Sequence, residues 1–324
     1  MTGTALAFDL GGTDLRAAIV SRDGVVRQSL TVPTRAADGV EAVLSQMTDL
    51  ADRLLAQRSA EILGVGVGAP GPLDPAAGLM IAPPTLAGWQ NVPIAALLAE
   101  RLGLPVVLDN DANVAALAEW KHGAGRGFGT VLFVTVSTGI GGGVVSGGQI
   151  FHGSRGLAVE IGHMTISETG PPCFCGSVGC FEALASGTAL GRFGAVAAAL
   201  PGGECIAAFQ AGIGRPGARA VIEAARQGDA TAQALVAQEA RWLGIGLTNL
   251  LHLFSPDVVV IGGGLSNAFD LLIDGIHGVI RTRAMPAYRD VTIARSALGP
   301  AAGLVGAADL VFAARSRLLR HDQA

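Results

Sequence analysis

Leu6-Ala7-Phe8-Asp9-Leu10-Gly11-Gly12-Thr13-Asp14-Leu15-Arg16-Ala17-Ala18-Ile19-Val20 reads as an apolar strand, a small polar tip and a second apolar strand. Such a hairpin has little side-chain bulk at its turn. Backbone N–H groups and the Thr13 hydroxyl can therefore approach an anion closely, and Asp9 at the strand end can hold a metal through water. An ordinary hairpin turn competes with that reading. The same logic returns at Val131–Val136, Ser137-Thr138-Gly139 and Ile140–Val145, and two such tips could clamp one polyphosphate from opposite sides.

Between and after the hairpins the periodicity alternates. Gly39 to Arg58 has helical spacing of Val40, Val43, Leu44, Met47, Leu50, Leu54 and Leu55, and Ile62 to Ala69 is a strand. Helices are expected at Pro93–Leu102, Ala112–Trp120, Ala183–Leu200, Ala218–Gly228, Ala232–Phe254 and Leu304–Leu318, with strands at Val106–Leu108 and Val258–Ile261. Two α/β halves, each opening with a hairpin, imply two related lobes with a cleft between them that closes by a hinge.

The bulk numbers exclude several classes. With 324 residues, half of them hydrophobic and only 15% charged, the chain can bury large cores, and disorder is not expected. A net charge of −4 without a basic block argues against nucleic-acid binding. Thr4-Ala5-Leu6-Ala7-Phe8 follows the first residues without a basic leader, so no export signal is expected. The apolar run Thr130–Val145 is broken by glycines and reads as two buried strands, not a membrane span. Lys121 is the single lysine and follows Trp120, which rules out a Walker A loop. Gly66-Val67-Gly68-Ala69-Pro70-Gly71 matches a dinucleotide fingerprint in letters only. Pro70 and Pro72 interrupt the helix start it needs, so the loop is read as backbone that can approach a ligand.

Three stretches carry chemistry. His163 with Cys173, Cys175 and Cys180 is the soft ligand set zinc prefers, and the intervening glycines let the backbone fold tightly around an ion. A disulfide is disfavoured, because adjacent-but-one cysteines pair under strain and nothing marks the chain as secreted. A closed tetrahedral site activates no water, so the zinc is read as structural and the flanking Glu160 and Glu182 as the groups it positions. Cys205 is read as a small hydrophobe. Asp109-Asn110-Asp111 stands at a strand-to-helix junction, where α/β folds bind ligands. An N-cap is the competing explanation, although these groups with Asn113 exceed what a cap requires. Gly262-Gly263-Gly264 either passes a flat base or ribose or is a tight turn, and the residues alone leave both open.

Taken together, Asp9-Leu10-Gly11-Gly12-Thr13, Leu108 to Asn113, Ser137 to Gly143, Glu160-Ile161-Gly162-His163, Cys173 to Glu182 and Pro256 to Gly264 resemble the ROK family of bacterial sugar kinases and repressors, most nearly its glucokinases. The resemblance spans nearly the whole chain and implies an α/β, actin/hexokinase-like (ribonuclease H-like) two-domain ATPase fold with a cleft between the lobes. Residues 1–118 plus 303–324 would form the small domain, and 119–302 the large one carrying the zinc site. It further implies transfer of a phosphoryl group from ATP to the 6-hydroxyl of a hexose, glucose first, with Asp111 as general base. Gly71, Asn110, Glu160, His163 and Glu182 would bind the sugar, His163 giving one ring nitrogen to it and the other to zinc. Asp9, Gly11, Gly12, Thr13, Thr138 and Gly139 would surround the phosphates and Mg²⁺, and Gly262, Gly263 and Gly264 the adenosine.

The same resemblance leaves room for an N-acetylhexosamine, fructose or allose kinase. A sugar-sensing regulator would need an N-terminal DNA-binding domain, for which Met1 to Thr4 leaves no room. A cytoplasmic homo-oligomer, dimer or tetramer, is the family expectation, without nucleic-acid or membrane partners. Three positions depart from the family pattern: Asp14 where Lys is common, Thr85 where many glucokinases have Asn, and Val159 in place of the glycine before Glu160. The last two bear on which sugar is taken.

Overall fold

The computed structural model describes residues 3–56, 60–214 and 216–321, with side chains to residue 316. In chain order it contains β1 (Thr4–Leu10), β2 (Asp14–Ser21), β3 (Val26–Pro33), α1 (Val40–Leu55), β4 (Ile62–Ala69), β5 (Leu73–Asp74), β6 (Leu79–Met80), α2 (Ile94–Leu102), β7 (Val106–Asn110) and α3 (Asp111–His122). There follow β8 (Thr130–Val136), β9 (Ile140–Ser146), β10 (Gln149–Ile150), α4 (Phe181–Ala185), α5 (Gly187–Ala198), α6 (Glu204–Ile213), α7 (Ala218–Arg226), α8 (Ala230–Phe254), β11 (Val258–Gly262), α9 (Phe269–Arg283), β12 (Thr292–Arg295) and α10 (Ala302–His321). Short 3₁₀ turns fill several connections. Arg58, the expected end of the first helix, lies outside the described residues.

The chain divides into two compact units: residues 1–129, 143–159 and 297–324 form unit 1, and residues 130–142 and 160–296 form unit 2. In unit 1 the sheet order is β3-β2-β1-β4-β7, with β1, β2 and β3 antiparallel in sequence and β1, β4 and β7 parallel. β4 is buried along its whole length, as a central parallel strand covered on both faces must be. One cover is α10, and two glycines let it lie close. A Cβ on Gly66 would sit 1.8 Å from Ala307 O, and one on Gly306 would sit 1.7 Å from Val114 O. On β1 and α1, Phe8, Leu6, Met47 and Leu50 build the core with Val65, Val67 and Trp89.

In unit 2, β8, β11 and β12 are parallel neighbours, and β9 carries the chain out of the unit. The mainly helical stretch expected over Ala183–Leu200 forms as two helices, α4 and α5. Ser186 interrupts them and caps α5 by accepting from Ala189 N at 3.1 Å, the competition of a short hydroxyl side chain with helix continuation. Phe181 anchors α4 on α8, where its ring leaves no space for a side chain at Gly246. Glu239 on α8 is 2% exposed, and its Oε1 has no hydrogen-bond partner.

The unit bounds differ from those expected at 118/119 and 302/303, and two packing features account for this. Residues 143–159 join unit 1 because β9 and its turn lie against α3: a Cβ on Gly143 would meet Ala112 O at 2.7 Å, and one on Gly148 would meet the Trp120 ring at 2.8 Å. The chain re-enters unit 1 at Ala297 because Glu119, fully buried, accepts from Ala297 N at 3.2 Å, Leu298 N at 2.9 Å and Ala124 N at 2.7 Å. Among the described residues no helix is long and apolar enough to cross a membrane.

Candidate functional site

In unit 1 the parallel strand β7 ends at Asn110 and α3 begins at once with Asp111. The cap is present at this junction, and the carboxylate after it is left exposed. Asn110 is the N-cap, its Oδ1 accepting from Ala112 N at 2.9 Å, while the Asp111 side chain is exposed, with Oδ1 2.7 Å from the same N–H. Asp109 turns inward and is 2% exposed. Gly71, in the loop after β4, precedes Pro72 through a cis peptide bond.

The β1–β2 tip closes on itself. Gly11 N donates to Asp14 O at 2.9 Å, and Thr34 steadies the turn by donating its hydroxyl to Gly11 O at 2.7 Å. Thr13 and Asp14 are exposed there, and Thr85 packs on the tip, 2.9 Å from where a Cβ on Gly12 would stand. Asp9 is ion-paired with Arg16 at 3.1 Å. Desolvation raises its pKa, and the Arg16 charge partly opposes that rise.

In unit 2 the four soft ligands converge. One ligand atom from each of His163, Cys173, Cys175 and Cys180 lies within 4.8 Å of all the others. His163 Nδ1 is 3.6 Å from Cys173 Sγ, and Cys175 Sγ is 3.6 Å from Cys180 Sγ. Tetrahedral zinc with bonds of about 2.3 Å to sulfur places its ligands about 3.8 Å apart, so the set fits such an ion. A tight turn builds it: Cys173 N donates to Ser177 O at 2.8 Å and Gly176 N to Cys173 O at 3.0 Å, with Gly176 at φ 92°. Burial pushes the Cys180 thiol up to about 12 and raises Cys173, whereas hydrogen bonding led by the Ser177 backbone lowers Cys175. A cation is what would hold all three as thiolates.

Glu160 precedes the one-turn helix Ile161–His163. Desolvation raises its pKa, Glu182 adds to the rise and His163 opposes it. Gly162 between them has no room for a side chain, since a Cβ would sit 2.2 Å from Ile140 O. Glu182 reaches the β8–β9 tip: its Oε2 accepts from Ile140 N at 2.8 Å and lies 2.2 Å from where a Cβ on Gly139 would be. Val159, a β-branched residue, has φ 68°, where glycine is at ease, and holds roughly 1–3 kcal/mol of strain.

A cavity of about 960 Å³ opens wholly within unit 2, a volume suited to a nucleotide-sized ligand. Of the expected phosphate and adenosine residues, Thr138 and Gly264 line it. Gly262 packs instead on the Phe133 ring, and Gly263 on Val136 O. Asp9, Gly11, Gly12 and Thr13 belong to unit 1. The sequence reading missed Thr188, Arg192, Arg219, Glu223 and Asn267 in the lining. They come from α5, α7 and the turn after β11, and no spacing in the sequence joins them.

The ROK family model matches residues 5–314. The chain belongs to the ROK family. It is 36% identical over 311 residues to a glucokinase of Halalkalibacterium halodurans, covering 94% of each chain. It is 34% identical over 307 residues to an N-acetylmannosamine kinase of Escherichia coli, covering 94% of this chain and 97% of the other. Among solved structures, a ROK family glucokinase from Streptomyces griseus in complex with glucose and AMPPNP superposes with a TM-score of 0.83 at 34% identity, covering 95% of this chain and 99% of the other. The fold is accordingly the α/β, actin/hexokinase-like fold of the ROK kinases.

Proposed function

We propose that this ROK protein is an ATP-dependent hexose kinase with glucose as its preferred acceptor. The observation that carries the reading is His163. Its Nδ1 faces the thiol cluster, which leaves Nε2 for a sugar hydroxyl next to the Glu160 carboxylate. A bound zinc ion would lock the ring so that this second nitrogen is presented rigidly. The near-full-length likeness to glucokinases supports the same reading.

Asp111 acts as general base. Its exposed carboxylate takes the proton from the 6-hydroxyl as that oxygen forms its bond to the γ-phosphorus and the bond to the ADP oxygen breaks. Hexose 6-phosphate and ADP are the products, and the proton leaves from Asp111. Glu160, His163 and Glu182 in unit 2 are the proposed hydrogen-bonding groups for the acceptor, Asn110 and Gly71 are its proposed contacts from unit 1, and orienting the attacking hydroxyl supplies much of the rate. Thr138 and Gly264 bind the nucleotide in the unit 2 cavity, with Gly139, Gly262 and Gly263 shaping the strand ends around it. Asp9, with Gly11, Gly12 and Thr13 at the first tip, would hold hydrated Mg²⁺, which supplies charge neutralisation at the phosphates. Exchange of its Arg16 partner for a cation is chemically consistent for a carboxylate at a strand end.

An N-acetylhexosamine is the second acceptor worth testing, because Val159 adds bulk and strain next to Glu160 and the chain is 34% identical to an N-acetylmannosamine kinase, only slightly below its 36% to the glucokinase. The deciding experiment is turnover of glucose, mannose, fructose, allose and the N-acetylhexosamines with ATP and Mg²⁺, repeated with polyphosphate as donor. The expected outcome is the highest kcat/KM for glucose with ATP. Absence of turnover with every sugar and both donors overturns the reading.

A further inference from the structure

Asp109 stands two residues before Asp111 and is 2% exposed, yet neither the sugar nor the nucleotide reading uses it. Both of its oxygens are engaged. Oδ1 accepts from Asn110 N at 2.7 Å and from Asn113 Nδ2 at 2.9 Å, which fixes the peptide leading into Asp111 and the first turn of α3. Oδ2 lies 2.6 Å from Nε2 of His152, a half-exposed residue of the segment after β10. His152 is itself anchored: Phe151 N donates to Val144 O at 2.8 Å, and Ala158 N donates to His152 O at 3.2 Å. The imidazole therefore tethers a loop of unit 1 to the carboxylate behind Asn110 and Asp111. Without it a buried carboxylate would lose one partner and its fixed orientation, at considerable cost in a dry setting.

We propose that His152 is a positioning residue for phosphoryl transfer: through the buried Asp109 carboxylate it holds Asn110 and Asp111 in the reactive arrangement. The proposal rests on the kinase reading above. His152 touches no reacting atom, so its signature is a loss in kcat with substrate binding largely kept. Misplacement of a base by about 1 Å costs on the order of 10²-fold.

The test is steady-state kinetics and thermal melting of His152→Ala, His152→Gln and Asp109→Asn with hexose and ATP. For His152→Ala, kcat is expected to fall about 10- to 100-fold with the KM for ATP within about twofold of wild type. His152→Gln keeps an N–H donor at similar reach and should recover about tenfold of that loss. Asp109→Asn should show the same kcat-weighted loss as His152→Ala, and it keeps the proposal testable if the alanine variant does not fold. The proposal is overturned if kcat of His152→Ala stays within about threefold of wild type, or if glutamine gives no recovery. It is equally overturned if the loss in each variant equals its unfolded fraction at the assay temperature. A wild-type protein that phosphorylates no hexose sinks the kinase reading first, whereas an active wild type with an indifferent His152→Ala sinks this proposal alone.

Discussion

In unit 1 the tip between β1 and β2 is closed by its own backbone and braced from β3's end by Thr34, with Thr13 and Asp14 left facing solvent. In unit 2 the tip between β8 and β9 is held by a side chain from elsewhere, the Glu182 carboxylate on Ile140 N, and Gly139 is pressed against that carboxylate. The two stretches look alike as sequence, strand then small residues then strand, but only the second is tied to a residue assigned to sugar. The difference suggests a division of labour. On the proposed roles, the first tip would contact the phosphates alone, whereas the second would also touch Glu182, a proposed sugar ligand.

Substitutions test that division, starting with one that should ignore it. Asp111→Asn removes the proposed base and neither tip, so kcat should fall about 10²–10⁴-fold with both KM values close to wild type, read by coupled assay. A rise in either KM of similar size would assign Asp111 to binding instead. Cys175→Ser breaks the thiol set behind His163. Zinc content by elemental analysis should drop, and sugar affinity should weaken about 10- to 100-fold while ATP affinity holds.

Gly139→Ala forces the Glu182 carboxylate aside, since the new Cβ would occupy its place, and should raise the KM for sugar and for ATP together, each about tenfold. Gly12→Ala meets Thr85 instead and should raise the KM for ATP alone, by about threefold. Equal behaviour of the two alanine variants would erase the contrast between the tips.

The smallest effect on activity is expected away from both tips, at Glu239. Burial without a partner for Oε1 raises its pKa well above the usual carboxylate range. The folded state therefore keeps a proton that the unfolded chain releases above its ordinary pKa of about 4.3. Folding stability from this group is undiminished below that pH and declines as pH rises toward the folded pKa. Glu239→Gln should leave kcat unchanged and melt with wild type near pH 4, then gain in Tm relative to wild type as pH is raised above that, measured by calorimetry. A Tm gain independent of pH would mean that packing, not ionisation, governs the site.

The amount legible in the sequence varied with the range of the interaction. His163, Cys173, Cys175 and Cys180 were readable because four ligands of one chemistry sit within one short span, and the turn that gathers them is local. The Asp109–Asp111 junction was readable because strand end and helix start are adjacent in the chain. The helical stretch expected over Ala183–Leu200 is present, but the periodicity did not show its break at Ser186, where a capping hydroxyl outweighs helix continuation. The lining of the unit 2 cavity was hidden because α5, α7 and the turn after β11 each supply residues whose own surroundings look unremarkable.

By itself the sequence determined the two strand–tip–strand hairpins, the soft ligand set and the acid at the mouth of β7, because each depends on neighbours along the chain and on hydrophobic period. Tertiary structure alone decided that His152 pairs with Asp109, that Glu119 draws Ala297 and Leu298 back to unit 1, and that Glu182 steadies the second tip. Those pairings join residues about forty to nearly one hundred and eighty positions apart. Which buried carboxylate meets which donor at such separations is fixed by how strands and helices pack, since burial without a partner is too costly to leave to chance.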